Sequence, residues 1–380
     1  MAEGPVYLDW NATAPLRPEA RAAVLAALDQ PANPSSVHGF GRKARLMAEQ
    51  ARARVAALAG TEARRVVFTS GGTEANNLAL RFFREQAGGK SLIVSAIEHD
   101  SVLRPARASG LPVIEVPAGP DGVVPLAALA EALDRAPKDA SGPALIALML
   151  ANNETGAIQK VAEATRLAHE HGALLLCDAV QAAGKIPVDM AALACDFLTL
   201  SAHKLGGPSG VGALVLRDDW TPAPLLLGGG QERGMRAGTE NLPGIAGFGA
   251  AAEAALKALP DMGRVGALRD RMQAALLAAS PESPVYGSQA DRLPNTLCIG
   301  MPGVPAETQV MALDLAGVAV SAGSACSSGK VTPSHVLTGM GLPEQAAREA
   351  IRLSLGWATT EQDVDRAAEA WTALRQRKRK

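Results

Sequence analysis

Short, unbroken apolar runs recur along this chain, and each ends in hydrogen-bonding residues. Val66-Val67-Phe68-Thr69 runs into Ser70-Gly71-Gly72-Thr73, and Leu92-Ile93-Val94 leads to Glu98-His99-Asp100. Ala144-Leu145-Ile146-Ala147-Leu148-Met149 leads to Asn152-Asn153-Glu154-Thr155-Gly156. Leu174-Leu175-Leu176-Cys177 stops at Asp178, with Gln181 three residues later, and Phe197-Leu198-Thr199-Leu200 stops at Ser201-Ala202-His203-Lys204. Helically spaced stretches such as 161–170 lie between them. Continuous apolar strands alternating with helices predict an α/β fold whose central sheet is mostly parallel and buried on both faces. Such sheets bind ligands outside the carboxyl ends of their strands, so topology alone brings these polar residues together.

Helical spacing also predicts helices over 18–28 and 42–59, the latter burying Leu46, Met47, Val55 and Leu58. The segment 31–41, rich in Pro, Asn, Ser and Gly, reads as a loop bordering a site. A further strand is expected at 211–216. A long helical stretch over 244–279, broken near Pro260, bridges to a smaller α+β domain with strands at 295–300 and 318–322. There a helix over 346–351 runs toward a strand over 352–355, with Arg352 and Ser354 facing away from Ile351, Leu353 and Leu355. The expected division is an arm over 1–15 joining the small domain, a large domain over 16–255 and a small C-terminal domain over 256–380.

The 380 residues are 48% hydrophobic and carry a formal net charge of -1. That allows a large core and gives no general attraction to nucleic acid or anionic membrane. No apolar run approaches the roughly 20 residues of a membrane span, and the start lacks a basic-then-apolar signal, so a cytoplasmic protein is expected. The four cysteines have no paired spacing such as C-x-x-C, which argues against a zinc site or a disulfide framework. Asn11-Ala12-Thr13 matches a glycosylation acceptor, which without a signal peptide reads as accidental. His169-Glu170-His171 reads as a solvated helix end rather than a metal site.

Within this frame some residues suggest chemistry. Lys204, just after a buried strand and before Leu205-Gly206-Gly207-Pro208, is placed to be a desolvated amine and a candidate Schiff-base lysine. Asp178, at the end of the expected neighbouring strand, is the carboxylate that would keep a pyridine nitrogen protonated, as pyridoxal phosphate requires. The Gly71-Gly72-Thr73 turn opens a helix and points free N–H groups outward, which suits a phosphate, although an ordinary strand-to-helix turn reads the same way. The segment 228–241 is too glycine-rich and too charged for core. It reads either as a surface loop or as a segment lying against an anionic ligand or a second subunit. Arg352 can grip a carboxylate in bidentate fashion or serve a structural ion pair. Cys177, Cys195 and Cys298 sit in or beside apolar strands as buried thiols. Cys326 lies in a loop of small residues, 321–330, whose expected mobility and nearby Lys330 fit a nucleophile.

Taken together these residues resemble the cysteine desulfurases of the NifS/IscS class, enzymes dependent on pyridoxal 5'-phosphate (PLP) with fold type I, the aspartate-aminotransferase fold. The resemblance covers nearly the whole chain. It rests on Tyr7-Leu8-Asp9, Thr69 to Glu74, Glu98-His99, Asn152-Asn153-Glu154, Asp178 with Gln181, Ser201 to Lys204, the 228–239 loop, Ser324-Ala325-Cys326 and Ile351-Arg352-Leu353-Ser354. It implies that Lys204 holds the cofactor and moves protons at the substrate Cα, that Asp178 holds the pyridine nitrogen and that His99 stacks on the ring. Gln181 and Asn153 would address the ring oxygen side. Gly72, Thr73, Ser201 and His203 would hold the phosphate, with Thr239 reaching in from the partner of a homodimer. Arg352, with Asn153, would bind the carboxylate of L-cysteine. Cys326 would take the sulfur as a persulfide, releasing alanine, and pass it to an iron–sulfur scaffold or another acceptor protein. No intrinsic metal site is implied; Cys326 would be a transient ligand of a nascent iron–sulfur cluster.

Two features depart from the pattern. Trp357 stands where the resemblance leads one to expect a basic residue, and the chain stops at the basic run 375–380 without a longer tail. The competing readings are an aminotransferase or selenocysteine lyase on the same fold, which Cys326 in its loop argues against, and a noncatalytic sulfur carrier or scaffold-binding protein. Lys204 with Asp178 argues against the last.

Overall fold

A computed structural model describes residues 4–30, 33–136, 142–217, 220–323 and 333–379. Cys326 and the rest of 324–332 lie outside the described residues. The large sheet has seven strands in the order Val66–Thr69, Gly212–Leu216, Phe197–Ser201, Leu174–Asp178, Ala144–Ala147, Ser91–Ser95 and Val113–Val116. Only Gly212–Leu216 runs against its neighbours; the other pairings are parallel. All five apolar runs read from the sequence are strands of this sheet. Leu174–Asp178 and Phe197–Ser201 are adjacent, with Asp178 opposite Thr199.

The unbroken apolar character of the strands follows from burial on both faces. Val66, Phe68, Ile93, Ile146, Leu175 and Leu198 enter one core, while Val67, Leu92, Val94, Leu145, Leu176 and Phe197 enter another. Alternate residues thus feed opposite layers, and none faces water. Val113–Val116 was not anticipated. It lies at one edge of the sheet, its Glu115 is exposed and paired to Arg107, and it carries no continuous apolar run.

On one face the helices Pro18–Leu28 and Gly39–Leu58 pack against Leu242–Lys257. The contact is made by small residues. A Cβ placed on Gly249 would come within 2.6 Å of Ala51, and Ala44, Ala48 and Ala51 are buried while Leu46 is 58% exposed. Of the residues expected on the buried side, Val55 and Leu58 are buried and Met47 packs against the same core, whereas Leu46 is not buried. Close approach of the two backbones selects alanine and glycine, and the bulkier leucine is turned outward.

The second sheet is antiparallel, in the order Ser321–Ala322, Ala350–Ser354, Thr296–Gly300 and Val285–Tyr286. The helices Met262–Ala279, Ala306–Leu315 and Glu361–Arg379 cover it, around a core that includes the fully buried Trp371. The expected helix over 346–351 is shorter, Glu344–Arg348, so Ala350 and Ile351 belong to the strand. Ile351, Leu353 and Leu355 face this core, whereas Arg352 faces the site cavity. Val6–Tyr7 pairs in parallel with Val318–Ala319, and Asp9 bridges to Ser354.

Candidate active site

The carboxyl ends of the large-sheet strands open into a cavity of about 1090 Å³ that also touches the arm and the strand bearing Arg352. Asp178, the last residue of its strand, is buried. Its Oδ2 accepts a hydrogen bond from Asn76 Nδ2 (2.9 Å) and its Oδ1 accepts from the Val180 N–H (3.0 Å). Asn76, on the helix Gly72–Glu85, is itself fully buried. Its Nδ2 also donates to Ser101 Oγ (2.9 Å), and its Oδ1 accepts from Thr199 Oγ1 (2.8 Å). The carboxylate orientation is therefore fixed by the helix and the next strand together.

Lys204 ends the short 3₁₀ turn Ala202–Lys204 that follows its strand. Its Nζ donates to the main-chain oxygens of Asn11 (2.7 Å) and Ala12 (2.8 Å). Burial pushes its pKa down to about 8, Arg352 adds to the effect, and Asp9 and Asp178 oppose it. Gln181 Nε2 donates to the same Asn11 oxygen (2.9 Å). The arm thus supplies the acceptors on which the lysine rests.

Arg352 is buried; its Nη2 donates to Asp9 Oδ1 (2.6 Å) and its Nη1 to the Asn153 oxygen (3.0 Å), while its Nε has no partner among the described residues. Asn153 Oδ1 is likewise buried without a partner among the described residues. His99 caps the helix Asp100–Arg107, accepting the Ser101 N–H at Nδ1 (3.1 Å). Burial lowers its pKa from the ordinary value, against the pull of Asp178. Beside it Glu98 is fully buried, with Oε1 accepting from the Met149 N–H (2.6 Å). Burial first and Asp178 second hold its carboxyl well above the usual range.

Gly72 and Thr73 begin the helix Gly72–Glu85, which has no side-chain cap at Gly71. The first N–H groups of a helix lack intrahelical partners. Ser201 and His203 line the cavity with this turn. His203 Nδ1 lies 2.6 Å from Thr13 Oγ1, and burial, reinforced by Lys204, pushes its pKa down to about 4. Glu74 accepts from the Ser70 N–H (2.7 Å) and pairs with Arg236 (3.0 Å), tying the glycine-rich segment to the turn.

Gly72, Thr73, His99, Asn153, Asp178, Gln181, Ser201, His203, Lys204 and Arg352 therefore share one cavity. Thr239 does not line it and is exposed. Gly323 and Pro333, the described residues on either side of the segment with Cys326, lie in its wall. Sequence reasoning missed Asn76 and Asn11, each fully buried in the hydrogen-bond network. It also left Lys185 unremarked. The helix ends at Glu170 with Glu170 and His171 exposed, as expected, while the half-buried His169 lies 3.0 Å through its Nε2 from the buried Asp196.

Desolvated amine, buried carboxylate, uncapped helix N-terminus and arginine define the site of a PLP-type enzyme on this sheet, and the comparisons give the family. The aminotransferase class-V family matches residues 6–367, and the chain belongs to it. It is 46% identical over 371 residues to a cysteine desulfurase of Cereibacter sphaeroides, covering 96% of this chain and 94% of that one. It is 40% identical over 380 residues to a cysteine desulfurase of Trichormus azollae, with coverages of 98% and 94%. The structure of a NifS-like protein from Rickettsia africae superposes with a TM-score of 0.89 at 32% identity, covering 98% of this chain and 99% of that chain.

Proposed function

We propose that this chain is a PLP-dependent cysteine desulfurase that converts L-cysteine to L-alanine. The observation that carries the reading is the convergence of Lys204, Asp178 and Arg352 on one cavity, in a chain so similar to cysteine desulfurases. The residues present fit the cofactor. Asn153, whose amide oxygen is buried without a partner among the described residues, lines the cavity and has hydrogen-bonding capacity that a bound group could take up. An uncapped helix start suits its phosphate, and a buried carboxylate suits its pyridine nitrogen. PLP, when bound, supplies a carbonyl that condenses with amines and a ring that draws electrons away from the substrate's Cα.

The chain's own groups do the rest. Asp178, held by Asn76 and the Val180 N–H, would keep a proton on the ring nitrogen. Gly72, Thr73, Ser201 and His203 would hold the phosphate, and His99 would serve the ring. Arg352, braced by Asp9 and the Asn153 oxygen, offers its unpartnered Nε and remaining N–H groups to the substrate carboxylate. Lys204, titrating near 8, takes and returns the proton at the substrate Cα near neutral pH. Cys326 Sγ then attacks the substrate sulfur. The C–S bond breaks, an S–S bond forms, and the carbon takes up a proton to give alanine. The persulfide on Cys326 is passed to an acceptor protein, for iron–sulfur cluster or other thio-cofactor assembly. Thr239 acts in the partner's cavity of a homodimer.

The test is product identity. Protein loaded with PLP and given L-cysteine and a reducing thiol yields alanine and sulfide in equal amounts, and Lys204→Ala yields neither. Keto acid in place of alanine would move the reading to an aminotransferase.

A further inference from the structure

A second buried lysine stands behind the cavity wall. Lys185 does not line the cavity and is only 7% exposed. Its Nζ donates to Gln181 Oε1 (2.7 Å), four residues earlier, and to Asn11 Oδ1 (2.8 Å). The charged groups facing it are Lys204 and Arg352, both cationic, and among the described residues no carboxylate pairs with it. Burial first, then these two neighbours, hold its pKa well below the ordinary lysine value. An amine buried beside two cations is costly unless its hydrogen bonds are needed, since an apolar side chain would avoid the desolvation.

The hydrogen-bond pattern shows what it supplies. The two ends of a glutamine or asparagine amide are nearly the same shape, so the surrounding donors and acceptors decide which end points where. Lys185 offers N–H donors to both amides. Gln181 must therefore turn its oxygen toward Lys185 and its Nε2 toward the cavity side, where it meets the Asn11 main-chain oxygen that also holds Lys204. Asn11 must likewise turn Oδ1 inward, where Asn295 Nδ2 also donates (3.0 Å), and its Nδ2 toward the Asn153 oxygen (3.2 Å) and Thr296 Oγ1 (2.9 Å).

We propose that Lys185 is a positioning residue: by pinning the oxygen ends of Gln181 and Asn11 it fixes Gln181 as a hydrogen-bond donor toward the bound cofactor. This rests on the reading that the cavity holds PLP. A donor at the ring oxygen stabilises its negative form and opposes protonation of the chromophore, so losing the donor makes the chromophore keep its proton to higher pH.

The test titrates the visible absorbance of the PLP-loaded protein in a cycle of four forms: parent, Lys185→Met, Gln181→Ala and the double variant. The expected result is a midpoint raised by about one pH unit in Lys185→Met, the size one hydrogen bond to one protonation state produces. Gln181→Ala shows the same rise, and the double variant adds nothing further. A lowered melting temperature with an unmoved midpoint would reduce Lys185 to a packing role and overturn the proposal. An equal further rise in the Gln181→Ala background would also overturn it, since Lys185 would then act directly by charge. Lys185→Gln, which keeps a polar group in the space, is read in the same cycle if Lys185→Met does not fold. Absence of any visible band in the parent would overturn the cofactor reading and this inference together; a band that does not move overturns this inference alone.

Discussion

Lys204 is held among main-chain oxygens and cations rather than in water, and this has a cost that depends on pH. Its pKa is about 8 in the folded chain against 10.5 for an ordinary lysine. Between those values the unfolded chain binds more protons than the folded one, so this residue's contribution to stability rises with pH over that window. Cofactor-free parent compared with Lys204→Met should show an unfolding free-energy difference that shifts in the parent's favour by up to about 3 kcal/mol from below pH 8 to above 10.5. A flat difference would mean that the lysine is solvated. Asn76→Ala leaves a buried oxygen of Asp178 without its donor and should cost about 1–3 kcal/mol in urea unfolding and weaken PLP binding. Lys204 and Asp178 were legible because each ends an apolar run. Asn76 and Asn11 were not, because their partners are remote: Asn76 meets Asp178 across 102 positions, and Asn11 meets Lys204 across 193. Asn11 instead invited a local reading as a glycosylation acceptor.

The strands announced themselves because both faces of the large sheet are covered, which turns each strand into an unbroken apolar word. Val113–Val116 escaped because it is only partly buried and its apolar run is broken by the exposed Glu115. The helix Gly39–Leu58 is harder to read, since its contact with Leu242–Lys257 is built on alanine and glycine and ordinary hydrophobic periodicity points to Leu46 instead. The backbone approach at Gly249 sharpens this. Gly249→Val forces atoms against Ala51, and a loss of about 1–3 kcal/mol in thermal or urea unfolding is expected. Unchanged stability would show that the two helices can separate freely.

At the scale of the molecule the arm joins what the two sheets hold apart. It pairs with Val318–Ala319, gives Asp9 to Arg352, and places the Asn11 and Ala12 oxygens under Lys204. Trp357, whose departure from the family pattern stood out, lies under the Arg17 guanidinium at 3.7 Å and edge-on to Trp10 at 4.5 Å. Arg17 in turn binds the Leu205 and Gly206 oxygens just after the lysine. A side chain on Gly206 would collide with Arg17 and Trp357 at 2.6 Å. The residue after Leu355-Gly356 is thus an aromatic brace between arm, small sheet and Lys204 segment, which no local pattern could announce. Because Asp9 fixes the plane of Arg352, Asp9→Asn should raise KM for L-cysteine several-fold while kcat changes little; equal losses in both would place Asp9 in the chemical step. Thr239, exposed on its own chain, should affect PLP affinity when replaced by Ala only if a partner cavity receives it, so the homodimer reading predicts a weaker PLP complex.

The central claim is that Cys326 carries the sulfur out of a cavity built around Lys204. The direct measurement is alanine and sulfide from PLP-loaded parent and Cys326→Ser, side by side, with L-cysteine and a reducing thiol. Equal alanine and sulfide from the parent, with neither from Cys326→Ser, is the predicted result. Turnover unaffected by the substitution would contradict the account, leaving the cavity to a lyase that needs no thiol of its own.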